Sequence, residues 1–201
     1  MSKSNVYIGL LHHPVYNKNM SVITTSITNL DLHDIARSSS TYGVARYFVI
    51  HPMESQQELA RRILGYWTEG FGANYNRDRN QAFQVLRLVH ELQEALAQVE
   101  EEWGVKPVLI TTDARVYSNT ISYRELKKKI GVGDRPYFVL FGTGWGIIKE
   151  VMEQADYILE PIYGPGEYNH LSVRSAVAII LDRLLGEDWY SSDKPTAIKL
   201  D

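Results

Sequence analysis

Short unbroken apolar runs alternate along this chain with stretches whose apolar residues return every three or four positions. Val6-Tyr7-Ile8-Gly9-Leu10-Leu11 reads as a strand. Between Asn29 and Tyr42, Leu32, Ile35, Ala36 and Ser39 share one helical face, with Gly43 placed as its stop. Tyr47–Ile50 predicts a second strand. Ser55-x-x-Glu58 has the spacing of a capping box and opens a helix lined by Leu59, Ile63, Leu64 and Trp67. The stretch from Gly70 to Asn80 is polar and rich in Gly, Asn and Arg, which predicts a loop. A short strand over Val85–Val89 and a helix striped by Leu92, Ala95, Leu96, Val99 and Trp103 follow, then a strand over Val108–Thr112.

A second capping box, Ser122-x-x-Glu125, opens a helix through Lys129. The run Pro136–Leu140 predicts a strand that feeds Phe141-Gly142-Thr143-Gly144-Trp145-Gly146. A short helix over Ile147–Met152 and a last strand over Tyr157–Leu159 come next. From Ser172 onward, Val173, Ala176, Val177, Ile180, Leu181 and Leu184 form a long stripe ending near Gly186. Strands separated by helices imply an α/β fold: a mostly parallel sheet covered by helices on both faces. With no repeat and no linker, 1–201 reads as a single domain with its core over about 5–186 and a loose polar tail over 187–201.

Composition narrows the function classes. The chain has 201 residues, 44% of them hydrophobic and 22% charged, enough for a sizeable core. No apolar run approaches the roughly 20 residues of a membrane span, and Met1–Asn5 enters the first strand without the layout of a signal peptide. A cytoplasmic protein with no membrane partner is expected. Cysteine is absent, which rules out disulfides, thiolate metal sites and a cysteine nucleophile. The six histidines include no His-x-x-x-His pair, so no metal is expected. A net charge of −3 leaves only local basic groups for a nucleic acid: Arg61-Arg62, Arg77-Asp78-Arg79 and Lys127-Lys128-Lys129. Each alone reads as a solvated face.

In open parallel sheets ligands bind beyond the carboxyl ends of strands. Three loops at such ends have unusual composition: Thr111-Thr112-Asp113-Ala114-Arg115, the FGTGWG loop, and the Gly- and Pro-rich stretch from Glu160 to His170. FGTGWG lacks the lysine of a phosphate cradle and the Gly-x-Gly-x-x-Gly spacing of a dinucleotide fold. Alternate glycines either let a ligand approach the backbone or make a tight strand-to-helix turn.

Three stretches carry a family resemblance: TSITNLDLHDIARSSSTYGV, ending at Val44, LFGTGWGI (140–147) and LEPIYGPGEYNHLSVRSAVAIILDRLLG (159–186). The chain resembles the SPOUT superfamily of S-adenosylmethionine-dependent RNA methyltransferases. It is similar in particular to a predicted RNA methyltransferase family found alone or fused behind bacterial tRNA guanine-N1 methyltransferase. The resemblance implies a C-terminal trefoil knot, a homodimer whose sites touch both subunits, S-adenosylmethionine as cofactor, and tRNA or rRNA as substrate. It implies cofactor contacts at Thr111, Thr112, Gly142, Thr143, Gly144, Trp145, Gly146, Pro161, Ile162, His170, Leu171 and Ser172. Arg37, Asp31, Asp34 and Ser172 become the catalytic candidates, Arg37 for charge stabilisation and the aspartates as bases.

The chain also departs from the superfamily pattern. Asp31 and His33 stand where Asn and Gly would be, Thr143-Gly144-Trp145 replaces a glutamate between glycines, and His170-Leu171-Ser172 replaces Ser-Leu-Asn. Asp31 and Asp34 equally suit the dipole at a helix N-terminus, Arg37 equally suits a salt bridge, and His170 equally suits a helix cap. Ring-carbon methylation of pyrimidines needs a nucleophile, commonly Cys, so a nitrogen or a ribose oxygen is the better target. A non-catalytic cofactor- or RNA-binding module and a protein side-chain methyltransferase are the rival readings.

Overall fold

The computed structural model describes residues 4–166 and 168–187. In chain order its elements are β1 (Val6–Leu11), β2 (Val15–Tyr16), β3 (Val22–Ile23), α1 (Asn29–Thr41), β4 (Arg46–Ile50) and α2 (Glu54–Thr68). Then come α3 (Phe71–Tyr75), α4 (Arg77–Phe83), β5 (Leu86–Val89), α5 (Leu92–Trp103), β6 (Val108–Thr112) and β7 (Thr120–Ile121). The last are α6 (Tyr123–Val132), β8 (Tyr137–Gly142), α7 (Lys149–Met152), β9 (Tyr157–Leu159) and α8 (Val173–Leu185).

Seven strands form one sheet in the order β5-β4-β1-β8-β6-β9-β7, and every pairing in it is parallel. The unbroken apolar runs follow from this, because a strand covered on both faces has no wet side. All six residues of β1 are buried. Val6, Ile8 and Leu10 face a core shared with α1, α6 and α8, while Tyr7 and Leu11 face one shared with α5 and α7. Gly9 is a matter of space: a Cβ there would lie 2.7 Å from the ring of Phe138 on β8. The predicted stripe of α8 packs within the chain, with Val177, Ile180, Leu181 and Leu184 buried.

Several expectations are corrected. Ser55 lies inside α2, whose N-cap is Met53 without a side-chain hydrogen bond. Glu58 instead holds Arg61 and Arg62 on the helix surface. The predicted loop from 70 to 80 holds α3 and the first half of α4, the latter helix capped by Asn76 accepting from the N–H of Arg79. Ser122 does cap α6, and that helix runs on to Val132, where Gly133 turns left-handed. Ser172, not His170, caps α8. The small hairpin β2–β3 and the edge strand β7, two residues each, were too short for periodicity to announce. The expected loose tail, past residue 187, lies outside the described residues. No helix among the described residues is long and apolar enough to cross a membrane.

Candidate functional site

A parallel sheet points all its carboxyl ends to one edge, so loops distant in sequence meet there. The loops after β3, β6, β8 and β9 enclose a cavity of about 910 Å³ together with the segment entering α8. That volume suits a cofactor-sized ligand. Asp31, Thr112, Gly142, Thr143, Gly144, Trp145, Gly146, Pro161, Ile162, His170, Leu171 and Ser172 all line it. Arg37, Asp34 and Thr111 are not among its lining residues. Arg37 is exposed on α1, and Thr111 is fully buried in β6 with a hydroxyl that lacks a hydrogen-bond partner.

The glycine loop is shaped by its own protein first. The hydroxyl and N–H of Thr143 both donate to the carbonyl of Leu11, at 3.0 and 3.3 Å. Trp145 N–H donates to Tyr16 O at 2.8 Å, and Tyr16 N–H returns a bond to Gly146 O at 2.9 Å. This clamp brings β2 so close that a Cβ on Gly144, at φ +60°, would sit 2.8 Å from Tyr16 O. A Cβ on Gly142 would sit 2.7 Å from the side chain of Ile147. Gly146, at φ +109°, is different, since its nearest heavy atom is an Asp113 oxygen at 4.0 Å. Two glycines therefore answer to packing, and Gly146 alone leaves backbone open toward the cavity. Trp145 between them is 65% exposed, an indole offered to the same space.

Beneath this loop lies a buried polar chain. Each hydroxyl has one hydrogen, and that of Thr143 goes to Leu11 O. Thr25 then donates to Thr143 across 2.5 Å, and Nδ1–H of His12 donates to Thr25 across 3.0 Å. Nε2 of His12 is left as a buried lone pair without a partner. Burial, and secondarily neighbouring His51, lowers the pKa of His12 to about 4. His51 accepts from Met53 N–H through Nδ1 and so donates from Nε2 to Thr25 O at 2.9 Å. The β3–α1 connection is thus fastened to the glycine loop through neutral groups.

Opposite the loop stands a charged cluster. Asp31 is 5% exposed; one oxygen accepts the Thr28 hydroxyl at 2.6 Å and the other accepts Nη1 of Arg174 at 2.8 Å. Nε of Arg174 also lies 3.4 Å from Asp34. Arg174 lines the cavity and was not singled out in the sequence. A signal existed: it is a cation in the first turn of a near-apolar helix, where the macrodipole disfavours positive charge. Asp113 and Arg115, quoted in the sequence only as part of a candidate loop, form a second pair, with both oxygens of Asp113 held at 3.0 Å. Asn169 ties the approach to α8 to that loop by donating to Ala114 O. The hydroxyl of Ser172 is engaged with Ser175, as cap and partner.

The residues present suit S-adenosylmethionine. An apolar side formed by Pro161, Ile162 and Leu171 fits an adenine ring, and the missing side chain at Gly146 leaves room for close approach, without cations arranged for phosphates. Among the described residues no group of three or more His, Asp or Glu is placed to hold a metal ion.

Comparison with known proteins identifies the family. A family described as SAM-dependent RNA methyltransferase matches residues 5–186. An uncharacterised protein from Aquifex aeolicus (strain VF5) is 45% identical over 188 residues, covering 94% of this chain and 92% of that protein. A protein from Oleidesulfovibrio alaskensis named tRNA (guanine-N(1)-)-methyltransferase is 40% identical over 183 residues, covering 91% of this chain and 42% of the relative. The chain thus spans less than half of that relative's length. In structure, the SpoU methyltransferase AviRb from Streptomyces viridochromogenes, solved with AdoMet, superposes with a TM-score of 0.59 at 15% identity. That superposition covers 92% of this chain and 58% of the other, and it speaks for the fold. With the family match running from Asn5 to Gly186, the chain belongs to the SAM-dependent RNA methyltransferase family.

Proposed function

We propose that this chain methylates RNA, tRNA or rRNA, at a nitrogen or a ribose oxygen, and that the cavity beyond β6, β8 and β9 holds S-adenosylmethionine. The observation that carries the reading is the convergence of the three strand-end loops on one cofactor-sized space with the Asp31–Arg174 pair on its wall. The bound cofactor supplies an electrophilic methyl group on a sulfonium, so direct displacement asks the protein for positioning and control of one proton. Pro161, Ile162 and Leu171 would seat the adenine, and Gly146 with Trp145 would flank the rest. Arg174, rather than Arg37, supplies the fixed positive charge for the anion that forms on the target. Asp31 is the base candidate inside the cavity; it acts only if the Thr28 hydroxyl or Arg174 gives up its oxygen, which substrate entry would prompt. Asp34 steadies Arg174 from outside.

We further infer a cytoplasmic homodimer, with the C-terminal part knotted as in its superfamily. In a dimer the exposed Arg37 is free to serve the second subunit's cavity. The guanine-N1 activity in the relative's name belongs to a protein more than twice as long and is not assigned here.

Isothermal titration with S-adenosylmethionine and S-adenosylhomocysteine is the first test. A micromolar Kd, about −8 kcal/mol, is expected. Arg174→Ala is then expected to lower methyl transfer about 100-fold with cofactor affinity retained. No binding by folded protein would leave a non-catalytic module as the reading.

A further inference from the structure

Outside the cavity, one feature of the surface has no role in the reading above. Helices α2, α3 and α4 build a ledge of exposed aromatic rings set among arginines. Phe71 and Tyr75 on α3 are 72% and 76% exposed, yet their rings lie nearly parallel at 23°, with centroids 5.9 Å apart. On α2, Tyr66 is 50% exposed and meets Trp67 edge-on. The guanidinium of Arg79, from α4, lies 4.3 Å over the Trp67 ring. Arg62 joins Tyr66, Trp67 and Asn29 around a shallow hollow. Arg62 and Arg79, from arginine groups well apart in the sequence, are thereby brought to the same Trp67.

The charges there are equal in number, Arg61, Arg62, Arg77 and Arg79 against Glu54, Glu58, Glu69 and Asp78, so what matters is how loosely they are paired. Glu54 and Glu58 hold Arg61 and Arg62 by ion pairs exposed to water, which a polyanion can replace at little expense. Glu69 and Asp78 also stand on the ledge, and neither forms an ion pair with Arg77 or Arg79 within 4 Å. Open aromatic faces beside arginines make a surface that stacks bases and follows a backbone, independent of sequence.

Its position adds the second argument. Asn29, at the first residue of α1, lines the hollow, while Thr28 and Asp31 on either side of it line the cofactor cavity. The residues of a single turn thus line both. A strand lying on the ledge would pass directly to the mouth of the cavity.

We infer that the α2–α4 ledge is a docking platform for unpaired bases of the RNA substrate. This rests on the RNA methyltransferase reading for its ligand class and deepens it by naming where the strand flanking the target lies. It takes single-stranded RNA in preference to a duplex, whose bases offer no free face.

The test is anisotropy with a fluorescein-labelled 12-nucleotide oligouridine, titrated over a range of NaCl concentrations, on the whole chain. With Arg62, Arg77 and Arg79 engaged, log affinity is expected to fall against log salt with a slope of about −2. Phe71→Ala/Tyr75→Ala is expected to weaken binding at least about tenfold and leave the slope alone. Arg77→Ala should reduce the slope by about 0.7. All three positions are exposed, so circular dichroism should show the variants folded. Unchanged oligonucleotide affinity in the double variant would overturn the inference. So would an altered oligomeric mass with RNA binding intact, since the ledge would then be a protein interface, and so would equal affinity for a 12-base-pair RNA duplex. S-adenosylmethionine titrated into the same proteins separates this from the cofactor reading. A wild type that fails to bind it overturns that reading alone, and the oligonucleotide result still decides this one.

Discussion

At Gly144 two independent constraints meet, a left-handed backbone at φ +60° and a backbone oxygen 2.8 Å from where a Cβ would go. Gly43 carries only the first, at φ +66° with nothing within 4 Å. Gly43→Ala is therefore expected to lower stability by about 1 kcal/mol and leave cofactor affinity untouched. Gly144→Ala must push β2 away as well. It is expected to lower stability by about 2 kcal/mol and weaken S-adenosylmethionine binding about tenfold, read by urea denaturation and calorimetry. Equal effects of the two changes would mean the clamp between Tyr16 and the loop does not shape the cavity. The sequence made FGTGWG conspicuous without revealing what the glycines avoid. Gly142 and Gly144 yield to Ile147 and Tyr16, contacts that no local spacing encodes. Arg174 was hidden for a related reason: its partners Asp31 and Asp34 lie some 140 residues earlier in the chain.

Single elements show how far a local signal can be believed. The two Ser-x-x-Glu matches are equal as text and unequal as structure. Ser122 accepts the N–H of Glu125 at the start of α6, whereas Ser55 is exposed one residue inside α2. Ser122→Ala is expected to destabilise the protein by about 1 kcal/mol, and Ser55→Ala by less than about 0.5 kcal/mol, in matched thermal melts. A cap depends on where the preceding chain comes from, and His51, buried against Thr25, fixes that for α2. The stretch from 70 to 80 misled for the opposite reason. Gly70 and Asn76 serve as caps that open α3 and α4, while Gly72, Asn74 and Asn80 lie inside those helices. Each helix is too short for an apolar stripe to register. The long elements, β1, α1, α5 and α8, were plain because burial on one or both faces repeats along them.

For the molecule as a whole, the neutral histidines set an acid limit. His12 takes its proton near pH 4 when folded and near 6.5 when unfolded. Between those values the unfolded chain binds more protons, so stability falls as pH drops from 6.5 to 4. The loss from His12 is roughly 3 kcal/mol. Burial lowers the pKa of His51 and His33 as well, which adds loss in the same direction. Urea midpoints at pH 7 and pH 4.5 are expected to differ accordingly, and His12→Asn should flatten the difference. A wild-type stability that stays level across that window would mean His12 titrates normally. The α/β class and the parallel order of layers could be read from alternation alone, but the pairing order could not, because nothing in β1 names β8.

That pairing sets a schedule for synthesis. β1 lies between β4 and β8, and β8 ends 131 residues after β1 does, from Leu11 to Gly142. At about 5–20 residues per second, a ribosome needs about 7–26 seconds to make that stretch. For all that time the six residues of β1 hold β4 at most on one side and leave the other edge without its partner. A nascent chain in that condition is a template for any other strand it meets, so the protein's yield in a cell depends on translation speed and on whatever shields Val6–Leu11 until its neighbour arrives.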